Sequence, residues 1–157
     1  MHTREFPELP MIGVGGVVID GDRALLVRRG TQPALGEWTI PGGLLEVGET
    51  LTEGVAREIR EETGLTVRVT DLIEALERIF TDTGEITGAA ASIRAKPRYH
   101  YVILDYLCER IAGEPRIGEE ITDLALVTEE ELQQYHLTPE ATRVLHKAFA
   151  MARARTR

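Results

Sequence analysis

The segment Gly43-Leu44-Leu45-Glu46-Val47-Gly48-Glu49, followed seven residues later by Arg57-Glu58-Ile59-Arg60-Glu61-Glu62-Thr63-Gly64-Leu65, is the most informative part of this chain. Between and through its two halves runs a helix signal. Thr50 and Glu53 have the spacing of a capping box, in which a hydroxyl and a carboxylate each satisfy an orphan backbone N–H at a helix start. Gly64 suits the left-handed residue that closes a helix. The spacing therefore predicts a helix over 50–63. On it Glu58, Glu61 and Glu62 stand at i, i+3 and i+4 and share one face. Val55, Ala56 and Ile59 make the adjoining apolar side, which would face a sheet. Gly54, one turn before Glu58, would keep the acidic face open to a ligand at some cost in helix propensity.

Three carboxylates so close repel one another, weaken the helix and hold their protons more tightly. A hard divalent cation relieves both problems, and Mg²⁺ is commonly shared between carboxylates and substrate phosphates. A bare E-x-x-E-E would by itself read as a solvated acidic face. The surrounding pattern points elsewhere. Gly43, five residues, Glu49, seven residues, then Arg57-Glu58-Ile59-x-Glu61-Glu62-x-Gly64-Leu65 resembles the Nudix box at all nine of its defined positions.

The resemblance to Nudix hydrolases implies an α/β fold, an α/β/α sandwich with a central mixed β-sheet. It implies attack of water on a pyrophosphate with Mg²⁺ as cofactor, for which Mn²⁺ can substitute. By the same resemblance Glu58, Glu61 and Glu62 are metal ligands, Glu58 is also a candidate base, and the carbonyl of Gly42 is a backbone ligand. Family members often add a carboxylate from a late loop. Glu119 and Glu120, in Ile117-Gly118-Glu119-Glu120-Ile121, occupy that region, and the distance to Val127 favours Glu120; an ordinary polar turn is the alternative. Glu49 and Arg57 belong to the catalytic machinery through geometry, a charge-assisted pair that would fasten the loop to the helix. Pro41-Gly42-Gly43 would let the backbone pass close to the metal.

Outward from this centre, Val14–Asp20 and Ala24–Arg28 flank Gly21-Asp22 as a hairpin. Residues 31–43 read as loop with a short strand near Trp38–Ile40. Residues 65–80 look extended, 81–97 resemble a long hairpin loop that could also touch substrate, 99–109 are the strongest strand and 123–127 a short one. Thr128 opens a short helix with a Thr-x-x-Glu box at Glu131. Thr138-Pro139 starts a last helix whose stripe is Val144, Leu145, Ala148, Phe149 and Ala152. Strands bracketing one helix, with another at the end, fit a mixed sheet between helices.

The 157 residues suit a single domain over 1–157, and a 43% hydrophobic content reads as globular. With 26 acidic and 18 basic residues the net charge is −8, which disfavours nucleic-acid and membrane-surface partners. An anionic substrate stays compatible if a metal or a local arginine cluster reverses the sign. No apolar run approaches a membrane span, Met1 to Pro7 has no signal core, and Cys108 is alone, so a cytoplasmic protein without disulfides is expected.

The lead-in Arg29-Gly30-x-x-Pro33-x-x-Gly36-x-Trp38-x-Ile40-Pro41-Gly42-Gly43 resembles the bacterial ADP-ribose pyrophosphatase branch of the family. That branch implies a small nucleotide substrate and, in many members, a homodimer. Trp38 reads as core. Arg28 and Arg29 could pair with phosphates or be a solvated strand end, and His100 could reach substrate or be structural. A proline that another ADP-ribose branch carries some fifteen residues after the box is replaced by Phe80 and Thr81. A tryptophan frequent before the late helix is replaced by Leu126. The rival activity is a nucleoside triphosphate pyrophosphohydrolase. A non-catalytic sensor is a third reading, against which stands the presence of every box glutamate.

Overall fold

A computed structural model describes residues 4–86 and 96–156. The order is β1 (Met11–Asp20), β2 (Arg23–Arg29), β3 (Trp38–Thr39), β4 (Gly42–Leu44), α1 (Leu51–Thr63), β5 (Thr66–Thr81), β6 (Gly84–Ile86), β7 (Tyr99–Ala112), β8 (Ile121–Thr128), a 3₁₀ turn (Glu130–Tyr135) and α2 (Pro139–Arg155). The strands form one mixed sheet, β3-β2-β1-β7-β5-β6, with β4 also on β1 and β8 also on β2. Among the described strands only β1 and β7 run parallel, Met11 opposite Tyr101 through Ile19 opposite Glu109.

The site is positioned by a split in this sheet. β1 and β2 pair for two residues beside their turn, Ile19 with Ala24 and Asp20 with Arg23, and then part. β2 goes on to pair with β8. The vacated edge of β1 takes β4 instead, Gly13 with Leu44 and Gly15 with Gly42. The box loop is thereby drawn against the middle of the sheet.

Side-chain alternation divides β1 between two cores. Val14 and Val18 pack with Val55 and Ile59 of α1, together with Leu25, Leu65 and Cys108. Val17 packs on the other face with Leu26, Leu107 and Val127 against Val144, Leu145, Ala148 and Phe149 of α2. Helices therefore cover both faces, as the resemblance implied. The predicted caps are made: Thr50 accepts from the Glu53 N–H while Glu53 reaches back, Gly64 is left-handed, and Thr138 accepts from the Ala141 N–H.

Some expectations need correction. β4 arises in a glycine-rich stretch with no strand pattern of its own; its partner β1 imposes it. β6 lies in the stretch read as loop, while residues 87–95 of that loop lie outside the described residues. The Thr128 box is half made: Glu131 accepts from the Thr128 N–H at 2.9 Å, no side chain caps the turn that follows, and that turn is 3₁₀. Gly54 is not open to a ligand. A Cβ there would meet Leu45 and Glu49 at 2.8–3.0 Å, so its missing side chain admits the box loop. Among the described residues no helix is long and apolar enough to cross a membrane.

Candidate active site

α1 brings two of its three carboxylates into the protein. Glu58 and Glu62 retain 9% and 6% of their exposure, whereas the Glu61 side chain keeps 41%. The face is acidic and half sunk, which a solvated stripe would not be. Glu58 lies under Gly43, where any Cβ would come within 2.5 Å of the carboxylate oxygens. The glycine is required because the strand rests on the charged group itself. Glu62 accepts a hydrogen bond from the Gly42 N–H at 3.2 Å.

Arg57 holds the corner together. Its Nε and Nη2 donate to the two oxygens of Glu49 at 2.9 and 2.7 Å, and Nη2 also donates to the Leu44 carbonyl at 2.9 Å. Its Nη1 donates to Glu58 at 2.8 Å and Glu61 at 3.2 Å. The charge-assisted pair ties the box loop to the helix as expected, and the structure makes it bidentate. These bonds hold the Glu49 carboxyl down at about 2. Glu58 moves the other way, because burial outweighs the neighbouring guanidinium. Glu62 is pushed up to about 8 by burial first and by the Glu58 charge second, against the Gly42 N–H and Arg29.

The late loop arrives by capping α1. Arg116, Gly118 and Glu119 donate backbone N–H bonds to the carbonyls of Thr63, Glu62 and Glu61, satisfying the helix end. Glu120 follows with φ 61°, and its carbonyl accepts from the Gly30 N–H at 2.9 Å. Its charge is felt at both Glu58 and Glu62. Glu120 lines the hollow that contains Glu62, Gly42, Gly43 and Arg29. Among the lining residues Glu119 does not appear.

A second hollow shares Arg29, Thr39, Gly42 and Gly43 with the first and runs on across the α2 face of the sheet to Phe80, Tyr101 and Asp105. Arg29 stands between the two, its Nε bonded to the Pro33 carbonyl at 2.7 Å and its charge beside Glu62. Arg28 is exposed, donates to the Gly36 carbonyl at 2.9 Å and lines neither hollow. His100 also lines neither; it occupies the alternate position of β7 between Tyr99 and Tyr101. Trp38 packs against the α2 core, edge-on to Tyr135 at 5.1 Å.

Several cleft residues escaped sequence reasoning: Arg4, Arg78, Phe80, Tyr101 and Asp105. Arg78 is clamped by Glu85 at 2.7 Å and Glu37 at 3.0 Å and lies 5.0 Å over the Phe80 ring. The one available signal was Asp105 itself, an acid inside the strongest apolar strand.

The donors suit a divalent cation on chemical grounds. Two buried carboxylates that repel each other, with a third and a fourth at their rim, need positive charge to ionise together. Among the described residues no three such groups yet converge tightly enough to grip an ion, and the Arg57 Nη1 occupies the space between Glu58 and Glu61.

The family is now clear. The NUDIX domain model matches residues 9–148, and the chain belongs to that family. An ADP-ribose pyrophosphatase of Methanocaldococcus jannaschii is 32% identical over 111 residues, 71% of this chain and 57% of that protein, so the matched stretch spans little more than half of the relative. The nucleoside triphosphatase NudI of Escherichia coli is 32% identical over 117 residues, 74% of this chain and 78% of that protein. The crystal structure of a MutT NUDIX hydrolase from Burkholderia pseudomallei superposes with a TM-score of 0.69 at 29% identity, covering 89% of this chain and 98% of that one.

Proposed function

We propose that this protein hydrolyses the pyrophosphate bond of a nucleoside diphosphate joined to another moiety, ADP-ribose or a similar nucleotide sugar foremost, with Mg²⁺ or Mn²⁺. The observation that carries this reading is the pair Glu58 and Glu62, sunk beside Gly42 and Gly43 where an arginine-rimmed cleft begins. The likeness to the M. jannaschii enzyme supports the choice of substrate.

The roles follow from position. Glu58, Glu61 and Glu62, with Glu120 and the Gly42 carbonyl, would hold the cation. Bound there, it would neutralise phosphate charge and acidify a water. Arg29 and Arg78 face the cleft and would take the phosphate oxygens, cancelling the charge that resists attack. By the resemblance to the family Glu58 would accept the proton of the attacking water, and burial raises its proton affinity as it does that of Glu62. Arg57 and Glu49 would act by fixing the loop and helix.

The likeness to NudI favours a second reading, cleavage of a nucleoside triphosphate to monophosphate and pyrophosphate. A panel of nucleotide substrates with Mg²⁺ and Mn²⁺, scored by products, tests both. AMP with ribose 5-phosphate from ADP-ribose is the expected result. Free pyrophosphate from triphosphates alone would establish the second reading, and no phosphate product from any of them would overturn both.

A further inference from the structure

Asp105 is a buried acid that the chemistry above does not use. It keeps 6% of its exposure, and it has no hydrogen bond or ion pair with any described residue. Its oxygens are not sealed off but reach the cleft, so their hydrogen-bonding capacity is open to a ligand there. It sits on β7 opposite Gly15 of β1, and a Cβ at Gly15 would collide with its Oδ1. Gly15 in turn pairs with Gly42 of β4. Around Gly15 and Gly42 the floor of the cleft is bare backbone, and this carboxyl lies over it.

The same row of β7 carries Ile103 and Tyr101, and Leu76 and Arg78 face them from β5. The Tyr101 hydroxyl is buried as well, with the Arg4 guanidinium beside it. Beside Asp105 the walls are apolar, Ile103 and Leu76, and the carboxyl's hydrogen-bonding capacity is left open on the floor. That is the environment of a planar ring with one polar edge. The backbone of Asp105 lies two strands from Gly42, roughly 10 Å at ordinary strand spacing, and its carboxyl leans over Gly15 between them, in the cleft that both residues line.

We propose that Asp105 selects the nucleobase, its carboxyl pairing with an N–H on the edge of the ring at the floor of the cleft. This rests on the nucleotide-hydrolase reading, and it adds the residue that would choose among nucleotides. Burial first, and the Glu74 charge second, push the carboxyl up to about 7, so near neutral pH it can accept an N–H and also donate to a ring nitrogen. Glu74 is itself held by Arg143 at 3.0 Å.

The test is calorimetric binding of AMP, GMP and purine riboside 5′-monophosphate to the full chain without metal. The last of these has no N–H on its six-membered ring. At pH 8, where the carboxyl is mostly ionised, wild type is expected to bind AMP or GMP at least about tenfold more tightly than the analogue without that N–H, as one hydrogen bond to a buried acid provides. Asp105→Ala should bring that ratio near one, and Asp105→Asn should keep part of it. Because the carboxyl has no partner to abandon, both variants should unfold at or above the wild-type temperature at pH 8, which separates lost selection from a lost fold. A ratio near one in wild type, an unchanged ratio in Asp105→Ala, or no binding of any of the three overturns the proposal. So does a loss in Asp105→Ala of discrimination against 2′-deoxy or 3′-deoxy AMP in place of base discrimination, which would assign the carboxyl to the sugar. Binding without metal is read independently of turnover, so failure of the hydrolase reading would appear in the product panel and not here.

Discussion

The guanidinium of Arg57 divides its nitrogens between two tasks: Nε and Nη2 clamp Glu49 and the Leu44 carbonyl, while Nη1 meets Glu58 and Glu61. A lysine offers one compact charge and no fork. Arg57→Lys is expected to lower kcat about 10- to 100-fold while KM changes less, measured as AMP released from ADP-ribose. Glu62→Gln removes a proposed ligand but keeps the shape and the oxygen that receives the Gly42 N–H. Its kcat should fall by orders of magnitude with an unchanged far-UV spectrum; normal turnover at low Mg²⁺ would remove Glu62 from the site. Asp105 gives the pH dependence. Its folded value, about 7, lies above the unfolded value near 4, so the folded state binds the proton more tightly. Its contribution favours folding at low pH, declines as pH rises between those values and is gone above 7. Asp105→Asn should therefore gain stability relative to wild type as pH rises from 5 to 8, by up to about 2.6 kcal/mol in urea unfolding. A gain of equal size at both pH values would contradict this.

At the level of elements, α1 shows how far local chemistry reaches. Its two ends, its buried face and its acidic face are all written in residues 50–64, and Thr50→Ala should cost about 1 kcal/mol in urea unfolding through loss of the capping bond. The same clarity fails for β4, since Gly42-Gly43-Leu44 has no pattern and becomes a strand only because β1 lacks a neighbour there. The cleft was legible in part for a related reason. Strand alternation separates Tyr101, Ile103 and Asp105 from His100, but which set faces the cleft depends on where α2 packs. Arg28 and Arg29 pose the same problem one residue apart, and the fold turns only Arg29 inward. Glu120 could be placed from spacing because its loop is anchored at both ends, by the tail of α1 and by Gly30.

For the whole molecule, the two cores on opposite faces of one sheet should melt together in a single transition. An ion that binds only the folded chain adds to that stability, by about 2.7 kcal/mol at a hundred times its Kd. The unfolding midpoint should therefore rise with Mg²⁺ and return on chelation, and Glu62→Gln should lose most of the rise. Wild-type midpoints unchanged by either divalent ion would contradict the proposed cation site. The loop that carries Glu120 has a wider consequence. Through Gly118 and Glu119 it is sewn to the helix on one face, and through Gly30 to the end of a strand whose inner residues feed the core on the other. Occupancy of the corner should then slow deuterium uptake by amides in both layers at once, α2 included, and the whole body would register a ligand that touches only its seam.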